Sequence, residues 1–220
     1  MAGLIVTTAA TSEALTETEI REYLRIDEDS ELLTLQLLRR AAREFCENYT
    51  GRLLLSQTLT MGLDATNEIY DPLWEGIRIG PYLNYGKDYI VMPTAPVREI
   101  VSVTTYDDSD NATVMPASRY YVDIAREPAR IVLRTGETWP NALRVANAIE
   151  VKFKAGYANA GEIPHALKMG MLQHIAYLYD QRGDMKDADQ TSKLPPMVAL
   201  MYQPYKLIGG LGTSAYGALG

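Results

Sequence analysis

Between Leu32 and Tyr49 the apolar positions recur every three or four residues: Leu32, Leu35, Leu38, Ala42, Phe45 and Tyr49. That spacing is one face of a helix of about five turns. Gly51 comes next, and a glycine just past a helix enters the left-handed conformation at little steric cost. Ahead of the run, Asp27-Glu28-Asp29-Ser30 places acidic residues at the positive end of the helix dipole. A shorter helix from about Glu17 to Arg25 is expected from Thr16 and Glu19, whose three-residue spacing lets each side chain satisfy a free N–H at the helix start.

The pattern changes after Leu53. From there to Tyr157, β-branched and aromatic runs are broken by Pro, Gly, Asn and Asp. Leu55–Leu63 alternates in part, Ile100–Tyr106 alternates roughly, and Thr113–Val122, Arg130–Arg134 and Ala148–Phe153 read as further strands. Short strands separated by turns indicate a small antiparallel sandwich or barrel. Helical spacing returns after Pro164: Leu167, Met171, Ile175 and Leu178 form a buried stripe running to about Gln181. Arg182-Gly183-Asp184 ends that helix, Asp184–Lys193 is polar and loop-like, and Pro195-Pro196 starts a last short helix through Val198 to Tyr202.

The expected fold is therefore α+β. A helical core is formed by the N-terminal part (residues 1–52) and the C-terminal part (158–202), with an inserted antiparallel β-sandwich or barrel-like module (53–157) between them. The remainder, 203–220, is Gly-rich yet carries Tyr205, Leu207, Ile208, Leu211 and Tyr216 with a single charge, Lys206. Its glycines argue against self-contained structure, and its apolar residues are too many for a solvated linker.

Composition narrows the chemistry. The net charge is −7, and no basic stripe of the kind a nucleic-acid reader shows is present. The densest basic group, Arg39, Arg40 and Arg43, lies on a helix rich in glutamate. No apolar run approaches the roughly 18–20 residues that a membrane span needs, and the first ten residues lack the basic start of a secretory signal. The one cysteine, Cys46, excludes a disulfide within the chain and reads as a small buried apolar residue. His165 and His174, nine residues apart, fall on opposite sides of one helix and do not share a metal. Asp107-Asp108-Ser109-Asp110-Asn111 opens like a calcium loop but lacks the later Gly and Glu, so a turn explains it better. Gly209-Gly210-Leu211-Gly212 has neither the strand before it nor the helix after it that a phosphate loop needs. No catalytic, cofactor-binding or metal-ligating residues are expected.

Several segments fall in a recognisable order. Leu15-Thr16-Glu17 leads to Leu24-Arg25-Ile26-Asp27. Tyr49-Thr50-Gly51-Arg52 precedes Gln57-Thr58. Pro93-Thr94-Ala95-Pro96-Val97 precedes Ile100 and Val103 to Asp107. Tyr120–Val122, Pro128–Leu133, Gly156-Tyr157, Ile163–Lys168, Leu178–Arg182 and Leu194–Tyr205 complete the series. In this order the chain resembles the head–tail connector adaptors of siphophages and gene transfer agents, in the longer form that carries a β insertion. The resemblance spans most of the chain; Asn67–Asp88 has no clear counterpart, and the chain departs from the family in its tail beyond Tyr205, where many members stop.

The resemblance implies a non-enzymatic virion protein of the neck: a homo-oligomeric ring, commonly twelve-fold, assembled in the host cytoplasm. The portal protein lies on one side of that ring and a stopper or tail component on the other, with genomic DNA passing through the lumen. Because the family places the C-terminal region near the portal, Tyr205, Lys206, Leu207, Ile208, Leu211 and Tyr216 are the expected portal-binding residues. Two other classes remain open: an assembly chaperone, or a small-ligand-binding or enzymatic protein whose pocket in the β module involves Trp74, Tyr82 and Tyr85.

Overall fold

A computed structural model of the chain describes residues 4–26, 31–65, 89–181 and 194–207. The acidic helix start at Asp27–Ser30, the aromatics Trp74, Tyr82 and Tyr85, and the polar stretch up to Lys193 lie outside these residues.

The described residues form an α+β fold of four helices and two antiparallel sheets. Helix α1 (Glu17–Leu24) starts as its sequence requires: the Thr16 hydroxyl accepts from the Glu19 N–H at 3.1 Å, and the Glu19 carboxylate accepts from the Thr16 N–H at 2.7 Å. Helix α2 (Leu32–Thr50) ends at Gly51, whose φ of 72° lets its N–H reach back to the Glu47 carbonyl at 2.8 Å. The centre line of its buried face is Leu35, Ala42, Cys46 and Thr50. Leu38, Phe45 and Tyr49 pack along its flank, half-buried. The expected stripe is thus rotated: small residues take the centre, where α3 and α4 approach closely, and the large rings close the sides. Helix α3 (His165–Asp180) buries Leu167, Gly170, Met171, His174 and Ile175, while Leu178 is only half-buried. Helix α4 (Pro196–Tyr202) begins on Pro195-Pro196 and runs into a tight turn at Gln203–Tyr205.

Strands β1 (Leu4–Thr8), β2 (Gln57–Leu63), β4 (Val97–Tyr106), β5 (Ala112–Val114) and β8 (Ile149–Ala155) form a sheet in the order β1-β2-β8-β4-β5. Strands β3 (Tyr89–Val91), β7 (Arg130–Leu133) and β6 (Tyr120–Asp123) form a second sheet in the order β3-β7-β6. Strand β8 shows why the sheets pack: Ile149, Val151, Phe153 and Ala155 alternate inward, with Glu150, Lys152 and Lys154 between them. Leu59, Met61 and Leu63 of β2 and Ile90, Ile131 and Leu133 of the second sheet fill the same core. Neither sheet closes on itself among the described residues, so the module is a sandwich rather than a barrel.

Two strand expectations change. Thr113–Val122 is not one strand: Met115-Pro116 and a tight turn at Ala117–Arg119 divide it into β5 and β6, which belong to different sheets. Leu4–Thr8, which reads in the sequence only as an apolar Thr-rich start, pairs antiparallel with β2, with Leu4 opposite Met61.

The core falls into two clusters. One joins Ala14–Leu55 to Ile163–Tyr202, and the other lies within Leu59–Ala155. The chain passes between them at residues 55–59 and 155–163.

Candidate partner interface

The C-terminal segment docks where the helical and β parts meet, and Arg52 organises that junction. Gly51 turns the chain out of α2, so Arg52 forms a parallel bridge with Ala95, and the Leu53 N–H donates to the Ala95 carbonyl at 2.9 Å. The Thr94 hydroxyl donates to the Gly51 carbonyl at 2.9 Å. The guanidinium, 11% exposed, faces two ways: Nε donates to the Tyr205 carbonyl at 2.6 Å, and Nη2 pairs with the Glu127 carboxylate. Burial alone would lower the Arg52 pKa, but the Glu127 carboxylate, helped by the Tyr157 phenol, more than offsets it, so the guanidinium stays charged. The Tyr157 phenol beside it is pushed up by burial, partly countered by that positive charge.

This junction holds the start of the expected portal-binding segment. Tyr205 is half-buried and packs on the helical cluster. The Lys206 ammonium sits 5.4 Å from the centre of the Tyr49 ring. Leu207 is 3% exposed, and its N–H donates to the Thr50 carbonyl at 2.8 Å. That carbonyl belongs to the last turn of α2, which has no helical partner for it, so the segment caps the helix. Tyr49 adds a hydroxyl bond to the Gln203 side chain at 3.0 Å. Residues 205–207 are thus part of the chain's own body. Ile208, Leu211 and Tyr216 lie outside the described residues.

The other candidate groups are placed elsewhere. The Cys46 thiol is fully buried, and that burial pushes it up to about 12, which removes any nucleophilic character at neutral pH. His174 is buried edge-on to Phe45, 4.9 Å between ring centres, and its Nδ1 has no hydrogen-bond partner among the described residues. Burial lowers its pKa, so the ring is held neutral. His165 is exposed at the start of α3. Asp107 closes the β4–β5 turn, accepting from the Asn111 side chain and from the N–H groups of Asn111 and Ser109. These bonds, led by that of the Asn111 side chain, hold its carboxyl below the usual range.

An open groove of about 680 Å³ between residues 10–17 and α2 is lined by Glu13, Glu17, Arg39 and Arg40. Its charges face one another across it: Arg39 and Glu17 are 3.9 Å apart, and Arg40 and Glu13 3.8 Å. Among the described residues no cluster of three or more His, Cys, Asp or Glu is placed to hold a metal, and no helix is long and apolar enough to cross a membrane.

No protein-family model matches the chain, and no curated protein matches it by sequence. Solved structures do match along almost the whole length. A chain in the neck of an empty gene transfer agent (GTA) particle, treated with C6 symmetry, is 23% identical with a TM-score of 0.69, covering 94% of this chain and 96% of that one. A chain in the virion of a native GTA particle is 21% identical with a TM-score of 0.68, covering 94% and 98%. A chain in the neck of a native GTA particle, treated with C12 symmetry, is 23% identical with a TM-score of 0.64, covering 94% and 96%. The helical core, the inserted β-sandwich and the C-terminal segment that seals their junction are together a fold also found in the particles of gene transfer agents.

Proposed function

We propose that the chain is a structural subunit of the neck of a phage-like particle: a head–tail connector adaptor that forms a ring beneath the portal and carries the stopper or tail. The observation that carries this reading is the fold match over 94% of the chain to chains of GTA neck structures, which takes in the helical and β parts together. The C6 and C12 symmetries of those necks support a cyclic assembly.

The chemistry of the chain is compatible with a passive conduit. Its net charge of −7 suits a lumen through which DNA slides without sticking. Its cysteine is inert and its buried histidine is held neutral. Because residues 205–207 seal the body, the portal contact is assigned to the tail beyond Leu207, with Ile208, Leu211 and Tyr216 as its apolar anchors. Purified particles test the reading. The chain should be present in stoichiometric amount, and electron microscopy of the neck should place it between portal and tail. Its absence from finished particles, with presence in assembly intermediates, would instead identify an assembly chaperone.

A further inference from the structure

Two pairs of apolar side chains stand out from the helical module. On α2, Leu33 and Leu37 are 77% and 68% exposed, four residues apart and therefore on one face. On α4, Met197 and Leu200 are 57% and 68% exposed. Single exposed leucines are ordinary, but α4 has no charged residue at all: Pro-Met-Val-Ala-Leu-Met-Tyr is apolar around its circumference. Val198 and Tyr202 turn one side into the core, leaving Met197 and Leu200 on the other. A helix apolar all round is one that is covered all round.

The two pairs lie on different helices. The end of α4 docks at the C-terminal end of α2, where the Tyr202 and Tyr49 rings lie 5.9 Å apart. Leu37 and Leu33 are farther back along α2 by roughly 18 and 24 Å at 1.5 Å per residue. One chain thus exposes an apolar pair on each of two helices.

Cyclic symmetry gives them a use. Neighbours in a six- or twelve-fold ring are related by much less than a half-turn, so every contact joins one surface to a different surface. A self-complementary patch would make closed dimers. A ring subunit needs two unlike patches that fit each other. We infer that the Leu33/Leu37 face of α2 on one copy packs against the Met197/Leu200 face of α4 on the next, forming the lateral contact of the ring. This contact rests on the ring reading above and extends it to named surfaces. The flexible methionine side chain suits a face that must close onto branched leucines.

Complementation tests the contact. L33E/L37E and M197E/L200E are compared with the unaltered chain by sedimentation velocity, with thermal melts confirming that each variant is folded. The unaltered chain should associate, and each variant alone should be monomeric. Their equimolar mixture should give one-to-one dimers and nothing larger, because each variant keeps one intact and complementary face. L37Q and L200Q make the same comparison if a glutamate pair prevents folding. Variants that associate like the unaltered chain, a mixture that stays monomeric, or an unaltered chain that never associates would overturn the contact. Absence of the chain from purified particles would overturn the neck reading itself, which is a different observation from any of these.

Discussion

A Cβ on Gly170 would stand 2.5 Å from Cε1 of Tyr202. The tyrosine ring of α4 lies against the one position of α3 that has no side chain, which is how α4 approaches α3 closely enough to bury Tyr202 completely. Gly170→Ala should therefore destabilise by about 1–3 kcal/mol through overpacking, since a backbone-anchored methyl and a fully enclosed ring have no room to part. Chemical denaturation gives the value. Combining Gly170→Ala with Tyr202→Leu should cost less than the sum of the two changes, because the shorter side chain vacates the clash. Strict additivity would show that the ring does not hold the methyl out.

His174 makes stability pH-dependent. Burial lowers its pKa below the ordinary 6.5, and among the described residues its Nδ1 has no partner to stabilise a proton. The unfolded chain therefore binds a proton more readily than the folded one. Stability contributed by the neutral ring is fully present above the unfolded value and falls as pH drops through about 6.5 toward the lower folded value. Denaturation midpoints measured between pH 8 and pH 5 should decline, and His174→Gln should decline less over the same window. Equal slopes for the two proteins would assign the acid sensitivity to other groups.

Arg52 holds three segments through one guanidinium. Arg52→Met keeps most of the buried stem and removes the bonds to Tyr205 and Glu127. The expected loss is about 1.5–3 kcal/mol, as for a hydrogen bond to a charged group in a partly buried site. Glu127 is 45% exposed, so Glu127→Gln should cost less than about 1 kcal/mol. Limited proteolysis reads the structural consequence: Arg52→Met should speed cleavage after Lys206, and Glu127→Gln should not. Similar cleavage rates in both would mean that the Tyr205 carbonyl bond does not hold the segment.

Part of this architecture is legible in the sequence. The capping box at Thr16 and Glu19, the helix stop at Gly51 and the start at Pro195-Pro196 are local, so short signals suffice for them. Gly156 is a case where the residue type alone is not enough: its φ is +100°, and a Cβ there would meet the Leu55 carbonyl oxygen at 2.0 Å. Gly156→Ala should be among the most damaging single changes, measurable as loss of soluble protein.

The hidden part depends on distant partners. Leu4–Thr8 is a strand only because Gln57–Leu63 lies ready beside it, and five residues of local sequence carry no record of that. The periodicity of α2 puts Phe45 on its buried stripe. The structure instead centres that face on Ala42 and Cys46 and sets Phe45 at the flank against His174. Leu207 reads in the sequence as part of a partner-binding tail, since its use as a cap for Thr50 depends on a residue far earlier in the chain.

The placement of Leu207 sharpens the expected effect of a truncation. Leu207 is 3% exposed, and the Arg52 and Thr50 bonds both end at or before it. Removing residues 208–220 takes away none of these contacts, so stability should stay within about 0.5 kcal/mol of the full chain. Removing 205–220 exposes the end of α2, unpairs the Arg52 Nε and uncovers the Leu207 site. Losing that buried side chain alone costs roughly 1.5–3 kcal/mol. The removed tail holds Ile208, Leu211 and Tyr216 among five glycines. Each ordered residue there costs about 1–2 kcal/mol of backbone entropy, which a partner's preformed groove offsets better than the tail does alone. The shorter truncation should therefore fold normally and yet fail to attach to portal-bearing heads, as read by co-sedimentation. Unchanged attachment of a chain ending at Leu207 would move the portal contact from the tail to the helical body.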